Sequence, residues 1–379
     1  MNARRGVVAV TALLGLAGAG PAAADPELRL PAPTGHHHVG TTSLYLNDVS
    51  RPDPWVPSAG TRELMVSLWY PTAQAGGPRA QYLTPAESEL LLADGNVTSV
   101  PPDVLSTVRT NAVRDAKPAG RHLPLVVLSP GFTKPRGTLT ALAEDLASNG
   151  YVVAAISHTY ENVGTSFPDG RVTTCAACEL PDRGPEFWEK LTHGRAADVS
   201  FVIDELVSRS RLIDPSRIAM VGHSAGGSSV SATMAADRRV RAGVNIDGSP
   251  SVPVPDTGLA RPFLLLGKES SYTPGTGGSA STWELDWSRL SGWKRWLVVS
   301  GAVHVSFTDI SILSEQIGWD TGADVTALRT AAITRAYVGA FLDKHLRHEP
   351  QPLLNGPTTR YPEVKFCHLA QPSGCEAAR

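Results

Sequence analysis

Gly222-His223-Ser224-Ala225-Gly226 is the stretch of this chain whose residue types and spacing could do chemistry. It fits the pattern G-x-S-x-G, and its setting gives the match weight. The strand Arg217–Val221 leads straight into it, and a helical pattern rich in small residues follows from Ser224 to Ala236. A strand, a tight turn and a helix in that order hold a serine in strained backbone and lift its hydroxyl above the sheet. Gly222, Gly226 and Gly227 leave out the Cβ atoms that so close a strand–helix approach would not accommodate. The chemistry that follows is nucleophilic attack by Ser224 on a carbonyl, with the backbone N–H groups and positive dipole of a helix start beside it.

A serine hydroxyl needs a base to take its proton, and that base needs an acid to orient it. In a strand–turn–helix site of this kind the partners follow in chain order, acid and then histidine, each on the loop after a later strand. Asp247 ends Val244-Asn245-Ile246-Asp247, and His304 follows the apolar run that closes at Val299. Other candidates fit less well. Asp237 falls at a charged helix end, Asp256 in a Pro-rich loop and Asp286 in an expected surface helix. His345 and His348 fall at a helix C-terminus, where a cation complements the dipole. His368 lies in the tail, His158 precedes Ser224 and breaks the order, and His223 is expected to pack or bond locally. Charge developing on the substrate oxygen needs two donors. One is the N–H of Ala225. The other comes from Ser129-Pro130-Gly131-Phe132-Thr133, where Pro130 has no N–H, Gly131 or Phe132 must donate, and Phe132 is favoured.

These groups have to be positioned by a scaffold, and the chain supplies one. Val39–Leu46 and Leu64–Tyr70 read as strands, the second closed by Pro71. From Leu123 onward buried strands alternate with helices: strands at 125–128, 152–156, 217–221, 242–246, 263–266 and 296–299, helices at 138–148, 187–209, 224–236 and 326–345. Repeated β-α-β units predict an α/β fold with a mostly parallel central sheet and helices on both faces. Its carboxyl-terminal strand ends are where such sheets build their sites.

Composition closes off other classes. The chain has 379 residues, 42% hydrophobic and 18% charged, with a formal net charge of -2. That is neither disordered nor basic enough to neutralise a nucleic-acid backbone. Arg4 and Arg5, the apolar run Val7–Ala19 and Pro21-Ala22-Ala23-Ala24 read as a signal peptide over residues 1–24, too short to span a bilayer. A secreted single domain over residues 25–379, without a transmembrane segment, is the expectation. Export puts Cys175, Cys178, Cys367 and Cys375 in an oxidising setting, so two disulfides are expected. Three pairings are open, and nearness favours Cys175–Cys178 and Cys367–Cys375. No metal-ligand cluster or cofactor motif stands out, and His36-His37-His38 reads as a solvated turn.

Six segments together carry a resemblance. They are Trp69-Tyr70-Pro71, Ala80-Gln81-Tyr82-Leu83, Leu128–Phe132, Asp145–Tyr151, Gly222–Gly227 and His304–Asp309. The pattern resembles the plasma-type platelet-activating-factor acetylhydrolase family of secreted α/β-hydrolase serine esterases and its bacterial relatives. The resemblance implies a calcium-independent esterase that cleaves the short sn-2 acyl chain of a phospholipid. It implies Ser224, Asp247 and His304 as the triad, Phe132 and Ala225 as oxyanion donors, and no cofactor or metal. The family's animal members carry His-Gly where this chain has Pro130-Gly131, and an aromatic run where it has Gly248-Ser249-Pro250.

The expected substrate is therefore an ester or phospholipid, met at a lipid or polymer interface, by a monomer with no nucleic-acid partner. A broad carboxylesterase, lipase or polyester hydrolase is the enzymatic alternative. A catalytically silent lipid-binding protein is the non-enzymatic one, though it would be expected to lack a triad member. Trp55, Phe132, Tyr160, Phe167, Trp188 and Trp283 are the aromatics available to line a hydrophobic mouth.

Overall fold

Alternation of buried residues along the strands dictates the layering. In a computed structural model, which describes residues 27–369 and 374–378, Leu125 and Val127 face one helical layer while Val126 and Leu128 face the other. The expected signal peptide lies outside the described residues.

The amino-terminal strands β1 (His38–Pro52) and β2 (Thr61–Thr72) form a long antiparallel pair. They are followed by helix α1 (Pro85–Asp94), short strand β3 (Val113–Arg114) and the core strand β4 (Leu123–Ser129). Next come α2 (Thr140–Ser148), β5 (Val152–Ser157), a small hairpin of β6 (Thr165–Ser166) and β7 (Val172–Thr173), and the long helix α3 (Pro185–Arg209). Strand β8 (Ile213–His223) runs into α4 (Ala225–Ser228) and α5 (Val230–Ala236), then β9 (Val240–Ile246) and β10 (Phe263–Lys268). Helices α6 (Glu269–Tyr272) and α7 (Ser279–Arg289), strand β11 (Lys294–Val299), helices α8 (Asp309–Gln316) and α9 (Ala327–Leu346), and strands β12 (Val364–Cys367) and β13 (Cys375–Glu376) complete the order.

Eleven strands make one sheet in the order β13-β12-β11-β10-β9-β8-β4-β5-β2-β1-β3. Its centre, β5-β4-β8-β9-β10-β11, is parallel throughout, and antiparallel strands extend both sides. Helices α2 and α9 cover one face, and α3, α5 and α7 cover the other. This is the α/β-hydrolase fold read from the sequence. The register brings Ser129, His223, Ile246, Lys268 and Val299 to one edge of the sheet.

Three local expectations are corrected. Strand β2 continues through Pro71 instead of stopping there: pairing with β5 has ended at Trp69, and beyond it Pro71 pairs with Val39 of β1 while its carbonyl accepts the Ala119 N–H. The single helix expected over 224–236 is two, α4 and α5, meeting at Ser229. The tail, which carried no predicted strand, adds β12 and β13 to the sheet edge. Its two strands pair Cys367 with Cys375, and a disulfide joins the same residues. The second disulfide joins Cys175 to Cys178, so both close neighbours pair. No described helix is long and apolar enough to cross a membrane.

Candidate active site

Ser224 stands between β8 and α4 with φ 55° and ψ -121°, a backbone that costs a non-glycine residue about 1–3 kcal/mol. The surroundings enforce it. A Cβ on Gly226 would lie 2.0 Å from the Ser129 carbonyl oxygen, and one on Gly222 would lie 2.2 Å from the Gly226 carbonyl group. Glycine at both positions lets the turn close against β4. The Ser224 N–H is tied to the Ile246 carbonyl at 2.8 Å, locking the turn onto β9.

The two expected partners meet it. Asp247, immediately after β9 and also at positive φ (54°), is 2% exposed. Its Oδ1 accepts the Lys268 N–H at 2.7 Å, and its Oδ2 accepts His304 Nδ1 at 2.5 Å. His304 Nε2 lies 2.9 Å from Ser224 Oγ. Hydroxyl, imidazole and carboxylate thus form one unbroken chain. The His304 side chain is 45% exposed and Asp247 is buried, so one end of the chain opens to solvent and the other is anchored.

His223 packs locally, as its position suggests, and does more. Its Nε2 donates to the His304 carbonyl at 2.9 Å, with the two rings 4.7 Å apart. Burial first, and the neighbouring His304 second, push its pKa down to about 3, so it is neutral. Its buried Nδ1 has no partner among the described residues.

Phe132 and Ala225 border the same pocket as Ser224, Asp247 and His304. That pocket has a volume of about 480 Å³ and opens between an aromatic wall and a hydroxyl-rich one. Phe132, Phe187 and Trp188 pack edge to face at 5.0–5.6 Å, and Trp55 joins Phe187 at 5.2 Å. The Cys175–Cys178 turn packs into the same cluster against Ala225. Of the six aromatics expected at a mouth, only Phe132 and Trp188 line the pocket. Trp55 backs them, and Trp283 is fully buried beneath Tyr272. Phe167 packs on Tyr45, and the Tyr160 carbonyl accepts the Ala177 N–H.

Two competitors differ from their sequence reading. Asp286 is fully buried on α7, not on a surface helix; it accepts the Val254 N–H, and burial raises its pKa to about 6. His345 packs between Trp293 and Phe341, and burial lowers its pKa to about 4, so it brings no cation to the end of α9.

The expected rival His158 belongs to a buried ionic network under the Ser129–Thr133 loop, which sequence reasoning missed. Its Nδ1 meets Asp198 at 2.8 Å and its Nε2 meets Ser129 Oγ at 2.9 Å. Asp198 also binds Arg62 at 2.7 Å. Burial opposes the charge on Asp198, but Arg62 and His158 hold its carboxyl far below the usual range. Arg195 binds Glu161 at 2.7 Å and donates to the Pro130 carbonyl at 2.5 Å. Only the i, i+3 spacing of Arg195 and Asp198 within an otherwise apolar helix face could have signalled it.

The family model described as platelet-activating factor acetylhydrolase, isoform II, matches residues 22–169. A solved "Ferulic acid esterase from Streptomyces cinnamoneus" is 43% identical with a TM-score of 0.82, covering 90% of this chain and 100% of that one. The chain belongs to the platelet-activating factor acetylhydrolase, isoform II, family. Among curated members of the family, a "Probable 1-alkyl-2-acetylglycerophosphocholine esterase" of Arthroderma benhamiae is 28% identical over 374 residues, 89% of this chain and 93% of its own. The "Platelet-activating factor acetylhydrolase" of Canis lupus familiaris is 25% identical over 370 residues, 86% of this chain and 79% of its own. A second model, the prolyl oligopeptidase family, matches residues 184–253, from the start of α3 through Ser224 to Asp247. As a member of the acetylhydrolase family the protein is a carboxylic ester hydrolase.

Proposed function

We propose that Ser224, His304 and Asp247 hydrolyse esters through an acyl-enzyme. Ser224 Oγ attacks the ester carbonyl while His304 Nε2 takes its proton, and Asp247 steadies the imidazolium through Nδ1. The Ala225 and Phe132 N–H groups receive the oxyanion; each donor of this kind lowers the barrier by roughly 3–4 kcal/mol. His304 then protonates the departing alkoxide. Water, deprotonated by the same imidazole, releases the acid. The observation that carries this reading is the single hydrogen-bonded chain from Ser224 Oγ through His304 to Asp247. Replacing Ser224 by Ala should cut 4-nitrophenyl acetate turnover by roughly 10⁴-fold or more with an unchanged melting temperature. Turnover near the wild-type rate would reject the assignment.

The substrate class favoured is a short acyl ester, with the sn-2 acyl group of a phospholipid as the leading case. The printed names of the curated relatives support it. An apolar pocket of about 370 Å³ beside the His304 turn, lined by Leu91, Val97, Val305, Ile317 and the 40% exposed Trp319, offers a contact for a lipid or polymer interface. A broader carboxylesterase activity on aromatic acyl esters is the second reading, favoured by the 43% identity to the ferulic acid esterase and by the Phe132–Trp188 wall. Relative kcat/KM on acetyl phospholipid and methyl ferulate separates the two. The same proposal has the protein act as a secreted monomer, its single domain running over residues 25–379 after loss of 1–24. The two disulfides support export. Mass spectrometry of protein from the culture medium and sedimentation test both points.

A further inference from the structure

Acyl transfer from Ser224 needs the triad and two oxyanion donors, yet the pocket holds a second set of polar groups that this chemistry leaves unused. On the β9–β10 side of Ser224, away from the β4 loop that carries Phe132, the lining includes Lys268, Tyr272, Ser249, Ser251, Ser271 and Ser279. Tyr272 is held rigidly. Its ring stacks on Trp283 at 3.9 Å, its carbonyl accepts Trp296 Nε1 at 2.8 Å, and its hydroxyl lies 3.0 Å from Ser249 Oγ. Trp283 is itself pinned, with Nε1 donating to the Gly248 carbonyl at 2.6 Å. Burial, and then the nearby Asp247 charge, push the Tyr272 phenol well above its ordinary value, so it keeps its proton to donate.

Among the described residues Lys268 is the one lysine or arginine bordering this pocket. Its main-chain N–H serves Asp247, but among the described residues its ammonium has no carboxylate within ion-pair distance. The adjacent Glu269 is taken by Lys365 and Ser300. Asp247, the only carboxylate lining the pocket among the described residues, is occupied by His304 and the Lys268 N–H. An uncommitted ammonium, a fixed phenol donor and a bank of hydroxyls on one wall suit a group of oxygen acceptors carrying negative charge.

We infer that Lys268 and Tyr272 form a subsite for an oxyanion-bearing substituent of the substrate, a phosphate or a carboxylate, held on the β9–β10 side of Ser224. This rests on the reading of Ser224 as the nucleophile. The subsite makes the enzyme selective for charged esters over neutral ones of similar size. It gives binding from a remote part of the substrate a place to act on the reacting carbonyl.

The test measures kcat/KM on 2-acetoxyethyl phosphate, 3-acetoxypropanoate and the neutral 2-methoxyethyl acetate for wild type, Lys268→Met, Lys268→Arg and Tyr272→Phe. The ratio of charged to neutral ester should fall at least tenfold in Lys268→Met, fall less in Tyr272→Phe, and be largely restored in Lys268→Arg. The charged ester that loses more names phosphate or carboxylate as the anion. Inorganic phosphate should inhibit hydrolysis of the neutral ester competitively in wild type and at least tenfold more weakly in Lys268→Met. An unchanged ratio in Lys268→Met, with phosphate inhibition also unchanged, overturns the subsite. Loss of all three activities in Ser224→Ala alongside that result would leave the nucleophile standing and remove only the subsite; retention of them would remove the nucleophile instead.

Discussion

Arg195 Nη1 donates to the Pro130 carbonyl at 2.5 Å from beneath the Ser129–Thr133 loop, with its side chain 1% exposed. Its Nε binds Glu161, and the Glu161 carbonyl takes the Thr133 N–H at 2.9 Å. One buried ion pair therefore holds both ends of Pro130–Thr133. Because the peptide is planar and trans, a Pro130 carbonyl drawn down to Arg195 turns the Gly131 N–H the other way.

Replacing Arg195 by Met removes one of the buried partners of Glu161, which keeps Arg62 at 3.5 Å and Trp55 Nε1 at 2.8 Å, and should lower unfolding free energy by about 2–3 kcal/mol. In the fraction that remains folded, kcat should fall roughly 10–100-fold through a loosened donor loop, with KM nearly unchanged. Denaturant titration and active-site-titrated kinetics read the two effects separately. A destabilised variant with wild-type kcat would show that the loop holds its shape without Arg195.

His223→Leu removes the donor to the His304 carbonyl while keeping an apolar ring-sized body against His304. A hydrogen bond worth about 1 kcal/mol corresponds to a few-fold to tenfold loss, and it should appear in kcat. Equal loss in KM alone would place His223 in substrate binding instead.

Asp286 makes stability depend on pH in a direction that can be worked out. Burial raises its carboxyl in the folded chain to about 6 from the ordinary 3.8. Below the ordinary value both folded and unfolded chains hold the proton, and the group carries no penalty. As pH rises through 4 to 6 the unfolded chain releases its proton first, so stability falls, by up to about 3 kcal/mol. Asp286→Asn keeps an acceptor for the Val254 N–H and removes the titration. Its stability relative to wild type should therefore be higher at pH 7.5 than at pH 4 in urea unfolding. An identical difference at both pH values contradicts this.

The Cys175–Cys178 disulfide closes a short loop, so replacing both cysteines by serine should cost about 2 kcal/mol or less in global stability. Its turn packs on Phe187 and Ala225, however, so the larger effect should be on turnover of bulky esters. Melting temperature and the ratio of acetyl to aromatic-acyl turnover measure the two.

The fold was legible because its signals are local. Continuous apolar runs such as Leu125–Leu128 mark strands covered on both faces, and helical spacing marks the crossovers. Ser224, Asp247 and His304 stood out because each sits at the end of such a run. The network of Arg62, Glu161, Arg195 and Asp198 did not, since its members come from distant segments and each looks like an ordinary surface charge until packing removes the water. Asp286 and Trp283 were misplaced for a related reason. The short α7 alternates polar and apolar residues, and only its contact with β10 and β11 shows which side is inside.

The central claim concerns Ser224 Oγ as the atom that takes the acyl group. Mixing the protein with 4-nitrophenyl acetate, quenching in acid within the first turnover and mapping the modified peptide by mass spectrometry tests it most directly. The account predicts one acetyl group, on the peptide holding Ser224, with no trapping in Ser224→Ala. An acetyl group on another residue, or full turnover with Ser224 unmodified and replaceable, would contradict it.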